Sequence, residues 1–226
     1  MTDKLGDHGG AGAATRRRWT RPGTWRWPSR RRQPHEAPPE PRPLRVHAFE
    51  PFSQANGPGT RAVLWLQGCT LGCPGCSNPE THPRFGYETG VDMMVAHIAA
   101  LGDRIEGVTV SGGEPLQQLR PVLRLLARLR EETSLSVVLL TGYAWDEVVR
   151  MPGAAALRER VDVLLAGRYG RAWHLGGGLC GSSNKTVHLF TGRYTAADLD
   201  AVPAAKVIIR PDGTLVVTGL DPPPQA

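Results

Sequence analysis

Residues 62–76 read A-V-L-W-L-Q-G-C-T-L-G-C-P-G-C. The apolar run Ala62–Leu66 predicts a buried β-strand that leads directly into a loop with Cys69, Cys73 and Cys76 at CxxxCxxC spacing. Cysteine thiolates are the usual ligands of iron–sulfur clusters. On a four-iron, four-sulfur cluster, three thiolates leave one iron without a protein ligand. The spacing therefore indicates a metal site that a small molecule can join directly.

Zinc and free thiols are the alternatives that the cysteine pattern leaves open. A structural zinc ion usually takes four protein ligands, often in two separated pairs. Cys180 is the one further cysteine, and no CxxH or HxxxH element accompanies the run. The spacing favours an iron–sulfur cluster. We expect no disulfide, because three thiols within eight residues pair poorly and we identify no secretion signal ahead of them.

A second informative stretch is residues 106–116, E-G-V-T-V-S-G-G-E-P-L. The β-branched run Val108–Val110 predicts a strand, and Pro115 suits the first turn of a following helix. Glycines at 112 and 113 let a ligand approach main-chain groups that a Cβ would cover. Taken alone, the stretch is typical of an ordinary strand-to-helix turn. Its position after the cysteine motif favours a binding site.

The two motifs together resemble the radical S-adenosylmethionine (radical SAM) superfamily. Further stretches are similar to its small activating enzymes, above all the anaerobic ribonucleoside-triphosphate reductase activating proteins. These stretches are Q-G-C at 67–69, C-S-N-P-E-T-H at 76–82, T-G-Y-A-W at 141–145, D-V-L-L at 162–165 and G-S-S-N at 181–184. The C-S-N-P-E-T-H stretch is also similar to pyruvate formate-lyase activating enzymes. The resemblance covers about residues 44–220.

The resemblance implies a [4Fe-4S] cluster and S-adenosyl-L-methionine (SAM) as cofactors. SAM binds the open iron, and one electron from the reduced cluster cleaves it to methionine and a 5′-deoxyadenosyl radical. In activating enzymes this radical removes a hydrogen atom from a glycine of a larger glycyl radical enzyme. A small ribosomal peptide is the alternative substrate. The resemblance also implies a flavodoxin- or ferredoxin-like electron donor and a reducing cytoplasm.

The resemblance assigns roles to residues in and beside both motifs and in two later segments. Cys69, Cys73 and Cys76 are the expected iron ligands, and no catalytic side chain beyond the cluster is expected. The expected SAM-binding residues are Gly75, Ser77, Ser111, Gly112, Gly113, Glu114, Thr141, Gly142, Ser182, Ser183 and Asn184. Thr141 and Gly142 are equally typical of a plain turn. Ser182, Ser183 and Asn184 are of types that often satisfy local backbone.

Three positions depart from the pattern of the relatives. Ala166 precedes Gly167 where relatives carry Asp-Gly, Cys180 replaces an arginine, and Lys185 replaces a glutamine. These positions lie near the expected substrate side of the pocket. If Cys180 were a fourth ligand it would close the open iron, but small buried cysteines are mostly packing residues.

Charge divides the chain into two parts. Residues 1–43 hold 10 of the 27 Lys and Arg and 4 of the 21 Asp and Glu, so the rest of the chain holds 17 of each. The whole net charge of +6 thus lies in an Arg-, Pro- and Trp-rich tail for which we expect disorder. A linker or an upstream start codon explains the tail most simply. Its tryptophans and arginines also allow a non-catalytic metal protein that binds nucleic acid. We expect no membrane contact.

Residues 44–226 are the right length for a single domain. Predicted strands (Leu44–Phe49, Ala62–Leu66, Val108–Val110, Val137–Leu140, Val161–Leu165) alternate with predicted helices (Val91–Leu101, a helix after Pro115, Trp145–Arg150). Alternation of this kind predicts a parallel sheet with ligands at the carboxyl ends of its strands. We therefore predict an α/β fold, a partial and open β/α barrel of the radical SAM type. It should end in a β-hairpin formed by Lys206–Arg210 and Leu215–Thr218, with Asp-Gly at the turn.

Overall fold

The computed structural model describes residues 42–219. Apart from Arg42 and Pro43, the predicted tail lies outside these residues. The strands are β1 Leu44–Ser53, β2 Arg61–Leu66, β3 Tyr87–Thr89, β4 Gly107–Gly112, β5 Ser136–Thr141, β6 Val163–Ala166, β7 Thr186–Leu189, β8 Ala205–Ile209 and β9 Leu215–Gly219. The helices are α1 Val91–Ala99, α2 Leu119–Glu132, α3 Trp145–Val148, α4 Ala154–Arg160 and α5 Ala196–Asp200.

Seven strands form one sheet in the order β3-β1-β2-β4-β5-β6-β7. The central four strands, β2, β4, β5 and β6, are parallel to one another, whereas β1 and β7 run antiparallel to the strands beside them. Within the described residues, the edge strands β3 and β7 do not pair with each other, so the sheet stays open. The parallel centre of an open α/β sheet is the arrangement that the sequence predicts, and the antiparallel strands at both sides make the sheet mixed.

The two faces of the sheet carry separate hydrophobic cores. Val137 and Leu139 of β5 pack on one face, in the core that holds residues of α1, α2 and α4. Val138 and Leu140 point to the other face, where Leu199 of α5 packs. Successive residues of a strand point to opposite faces. A strand that is buried on both sides therefore has a continuous apolar sequence. This is the pattern that predicted β5 and β6.

Helix α2 follows the glycine motif as predicted, after an intervening 3₁₀ turn, Pro115–Gln118. Pro115 occupies the first turn, and the Glu114 carboxylate accepts a hydrogen bond from the Leu116 N–H at 2.8 Å. Val122, Leu125, Leu126 and Leu129 of α2 are buried at three- and four-residue steps. The glycine motif is thereby fixed between a buried strand and a buried helix.

The C-terminal hairpin is confirmed as strands β8 and β9, with Ile209 opposite Leu215. Gly213 has φ +84°, and its N–H donates to the Arg210 carbonyl oxygen at 2.9 Å. The Arg210 N–H in turn donates to Thr214 at 2.9 Å, so the loop has three residues with glycine in the left-handed position. The sequence prediction omitted β3, β7, α4 and α5, all of which are short.

Candidate active site

The cysteine loop leaves the carboxyl end of β2 and is fixed by backbone hydrogen bonds at its base. The Gly68 N–H donates to the Thr81 carbonyl oxygen at 2.7 Å, and the Cys69 N–H donates to His82 at 3.1 Å. Within the loop, the Cys76 N–H donates to the Cys73 carbonyl oxygen at 3.2 Å. The segment that follows the third cysteine therefore closes back onto the segment that precedes the first.

The side chain of Gln67 stabilises the same closed form of the cysteine loop. Gln67 is only 4% exposed. Its amide nitrogen donates to the carbonyl oxygens of Glu80 at 3.1 Å and Pro83 at 2.8 Å. Its amide oxygen lies 2.9 Å from His47 Nδ1. Three contacts from one buried amide thus connect the segment after the third cysteine with the end of β2 and with β1.

The glycine motif lies directly beside the cysteine loop. The Gly113 N–H donates to Leu66 at 2.8 Å, and the Glu114 N–H donates to Gly68 at 3.0 Å. A Cβ on Gly112 would lie 2.3 Å from the Leu66 nitrogen, and one on Gly113 would lie 2.5 Å from the Gly68 oxygen. Both glycines are therefore required for the close approach of β4 to the cysteine loop. The sequence analysis explained them only by access for a ligand.

Glu114 is fully buried and connects the ends of β4 and β5. Its carboxylate accepts hydrogen bonds from the Thr141 hydroxyl at 2.8 Å and the Gly142 N–H at 2.7 Å, besides that from Leu116. Burial raises the pKa of Glu114 to about 7, against the effect of these hydrogen bonds and of the positive charge of Arg168. Glu114 therefore changes its protonation near neutral pH and positions two further predicted site residues.

One cleft at the carboxyl ends of the strands collects most of the predicted site residues. Those that line it are Cys69, Cys73, Cys76, Ser77, Ser111, Gly112, Gly113, Glu114, Thr141 and Gly142. Six residues that the sequence did not assign to the cofactors also line it: Leu71, Asn78, Leu140, Gly167, Tyr169 and Lys185. The sequence already indicated Gly167 and Lys185 as residues near the pocket, because both belong to stretches that depart from the pattern of the relatives.

Four predicted site residues lie outside the lining of this cleft. Gly75 packs against Arg171, whose Cδ would be 3.1 Å from a Cβ at that position. Ser182 is buried, and its hydroxyl accepts from the Gly170 N–H at 3.4 Å. The Asn184 amide donates to the Arg168 carbonyl oxygen at 2.9 Å, and the Ser183 N–H donates to Trp173 at 2.8 Å. In the structure these polar groups organise the loop that follows β6.

The three loop cysteines are free thiols that are partly exposed to the cleft. Burial raises the pKa of the Cys69 thiol, and the charges of Glu114, Cys73 and Cys76 act in the same direction. Among residues 42–219, no three His, Cys, Asp or Glu side chains converge on a point that a single metal ion would occupy. A cubane cluster requires no such convergence, because each cysteine binds a different iron. The donor set and the open cleft beside it fit a [4Fe-4S] cluster.

Cys180 lies apart from this group. It packs against the core on the α5 side of the sheet and lines a small cavity with Leu179, Leu199 and Asp200. Burial raises the pKa of its thiol. Its position is that of a packing residue.

Residues 55–188 match the family of 4Fe-4S single cluster domains. The chain belongs to the radical SAM activating-enzyme family. Over 162 residues it is 33% identical to the anaerobic ribonucleoside-triphosphate reductase-activating protein of Vibrio cholerae, covering 66% of this chain and 99% of the relative. The corresponding protein of Escherichia coli K12 is 32% identical over 161 residues, 64% of this chain and 98% of the relative.

A more distant similarity extends to other activating enzymes. The pyruvate formate-lyase-activating enzyme of Staphylococcus aureus is 40% identical over 92 residues, which are 38% of this chain and 37% of the relative. Among solved structures, QueE from Escherichia coli aligns with 45% of this chain and 52% of its own, at 20% identity and a TM-score of 0.36.

The family membership confirms the enzymatic prediction and both cofactors. The protein is an enzyme of the radical SAM type, and its cofactors are an iron–sulfur cluster and SAM. The match to a 4Fe-4S domain supports the iron–sulfur interpretation of the cysteines over zinc. Within residues 42–219, no helix has both the length and the apolar character needed to cross a bilayer.

Proposed function

We propose that this protein cleaves SAM reductively and installs a glycyl radical in a larger partner enzyme, with an anaerobic ribonucleoside-triphosphate reductase as the favoured partner. The observation that carries the proposal is the meeting of three free thiols and the Ser111–Glu114 segment in one cleft. The similarity to the named activating proteins, which extends over nearly their whole length, supports the choice of partner.

Cys69, Cys73 and Cys76 would hold three irons and leave the fourth open to SAM. When bound, the reduced cluster supplies the electron that converts SAM to methionine and the 5′-deoxyadenosyl radical. Ser111, Thr141 and Gly142 line the cleft at the strand ends, where SAM would bind. Leu71 and Leu140 add apolar surface, which limits the access of water to a reactive radical.

Glu114 acts in this proposal as the acidic residue nearest the expected position of the SAM amino group. Its three protein hydrogen bonds fix the carboxylate in place. In the ionised form it attracts an ammonium group, and in the neutral form it does not. The pKa of about 7 means that a bound cation would favour ionisation near neutral pH.

The test is anaerobic reconstitution followed by three measurements on one sample. Iron and sulfide are counted first, and 5′-deoxyadenosine is then measured after SAM and dithionite are added. Finally, electron paramagnetic resonance (EPR) of a mixture with the anaerobic ribonucleoside-triphosphate reductase of the same organism should show a glycyl radical. A protein that releases 5′-deoxyadenosine but yields no glycyl radical contradicts this partner and favours the peptide-modifying alternative.

A further inference from the structure

Lys185 places a positive charge in the cofactor cleft. The residue precedes β7, whose first residue, Thr186, pairs with Ala166 at the end of β6. Gly167, with φ +130°, lies against it, since a Cβ on Gly167 would be 3.2 Å from the Lys185 Cα. The Lys185 N–H donates to the Ser182 carbonyl oxygen at 3.3 Å. The backbone of Lys185 is thus fixed where the side chain lines the same cleft as the three cysteines.

The ammonium group has no hydrogen bond or ion pair with the described part of the chain. Burial lowers the pKa of Lys185, and the negative charges of Cys180, Cys73, Cys76 and Glu114 act to raise it. Cys180 acts on it from outside the cleft, and the groups that act on it from inside the cleft are two of the three expected cluster ligands, Cys73 and Cys76, and the buried carboxylate of Glu114. A partly buried cation without a protein partner is costly unless another anion approaches it.

A cluster held by three thiolates is the anion that this arrangement suits. It carries a net negative charge, and reduction adds one more. A nearby cation stabilises the reduced form more than the oxidised form, because the Coulomb attraction grows with the charge. Net charge close to an iron–sulfur cluster is one of the factors that set its reduction potential.

We propose that Lys185 is a positioning residue for the redox step, whose ammonium compensates the charge of the cluster and raises its reduction potential. The inference rests on the proposed function, because it takes Cys69, Cys73 and Cys76 as the cluster ligands. In the step concerned, one electron passes from a low-potential one-electron donor to the cluster, no bond forms or breaks, and Lys185 keeps its proton. Lys185 thereby widens the range of donors that can reduce the enzyme.

The test is an anaerobic redox titration of the reconstituted holoenzyme without SAM, followed by EPR of the reduced cluster. Lys185→Gln removes the charge, and Lys185→Arg keeps it. Lys206→Gln is the matched control, because Lys206 lies in the C-terminal hairpin and donates to Phe52, near the end of β1 opposite the cysteine loop. At a fixed potential, we expect the ratio of reduced to oxidised cluster to fall about tenfold in Lys185→Gln, a shift of about 59 mV to lower potential. Lys185→Arg and Lys206→Gln should match the wild type.

The outcomes separate this proposal from the proposed function. A wild-type protein that assembles no cluster overturns both. A cluster with the same potential in wild type and Lys185→Gln, or an equal shift in Lys206→Gln, overturns the role of Lys185 alone. A shift that appears only after SAM is added also overturns it, because Lys185 then acts on the SAM carboxylate. If Lys185→Gln incorporates less iron, the titration still decides, since EPR detects only molecules that hold a cluster.

Discussion

At the amino ends of β2, β4 and β5, the guanidinium of Arg61 is fully buried, and its five N–H groups lie within hydrogen-bond distance of six acceptors. Among them are the Tyr194 hydroxyl at 3.0 Å and the Ser136 carbonyl oxygen at 3.1 Å. At the carboxyl ends of the same strands, Glu114 is equally buried and accepts three hydrogen bonds, but the Lys185 ammonium has no hydrogen bond or ion pair among residues 42–219. One end of the sheet satisfies its buried charge with hydrogen bonds, whereas the other end also holds a cation for a ligand to satisfy.

The amino end of the sheet therefore supports the fold, and the carboxyl end holds the groups that take part in the chemistry. A buried charge with all its hydrogen bonds made contributes to a single, rigid structure. Charges that lack partners are stabilised only when a ligand arrives, so their cost in the free protein indicates a binding site. Substitutions at the two ends should therefore affect different measurements.

The largest effect is expected from the cysteines at the carboxyl end. Replacing Cys69, Cys73 or Cys76 by alanine removes a ligand from the cluster, so SAM cleavage should be lost and the iron content should fall sharply. Cys180→Ala is the matched control, because Cys180 packs away from the cleft. Iron and 5′-deoxyadenosine assays on the four variants check this. A normal cluster in any of the first three, or its loss in Cys180→Ala, would contradict the assignment.

The next largest effect is expected at the amino end, from Arg61→Met. The substitution leaves buried acceptors on Ser136, Val108 and Tyr194 without their donor, and we expect the free energy of unfolding to fall by about 3–5 kcal/mol. Arg150→Met is the control, because the Arg150–Asp146 ion pair is exposed and such pairs contribute about 0–1 kcal/mol.

Anaerobic chemical denaturation measures both variants. Arg61→Met protein that remains folded should still assemble a cluster, since Arg61 lies at the other end of β2. Equal destabilisation by the two variants would remove the proposed contrast between the two ends of the sheet.

Glu114, at the carboxyl end of the sheet, should make the free energy of unfolding depend on pH. Its pKa is raised from 4.5 to about 7 in the folded protein. Between these values the folded state binds more protons than the unfolded state, so this group lowers the free energy of unfolding as the pH rises from about 4.5 to 7. The loss is about 3 kcal/mol at most and is complete above the folded pKa.

The measurement is the free energy of unfolding of wild type and Glu114→Gln between pH 5.5 and 7.5. Glutamine does not titrate, so the difference between the two proteins should change with pH in this range. Parallel curves would show that Glu114 is not perturbed as the structure indicates.

The smallest effect concerns the closure of the cysteine loop. Gln67→Leu removes the donor of two partly buried hydrogen bonds, to the carbonyl oxygens of Glu80 and Pro83, and we expect a cost of about 1–3 kcal/mol for the two together. Gln54→Leu is the control, because the exposed Gln54 amide makes one long contact, at 3.4 Å, and its loss should cost about 0.5 kcal/mol or less. In air, only Gln67→Leu should lose its cluster faster than the wild type. Equal lifetimes would show that the loop does not depend on Gln67.

Much of the fold followed from the hydrophobic pattern. Strands β2, β4, β5 and β6 read as apolar runs because both their faces are buried, and α2 reads as a periodic helix because one of its faces is buried. Strand β7 was not recognised, since its residues are mostly exposed at the sheet edge and its pairing with β6 is a long-range contact. The hairpin was recognised because Asp212-Gly213 is a local turn signal.

The cofactor chemistry could be predicted before the fold was known, because thiol spacing and a glycine-rich strand end are local features of the chain. The support of the site could not, because it depends on long-range contacts. Gln67 closes the cysteine loop, Glu114 joins two strand ends, and Lys185 reaches the cleft from the residue before β7, far along the chain. Such roles depend on which distant segments the sheet brings into contact, and the pairing of distant strands leaves no periodic signal in the residues themselves.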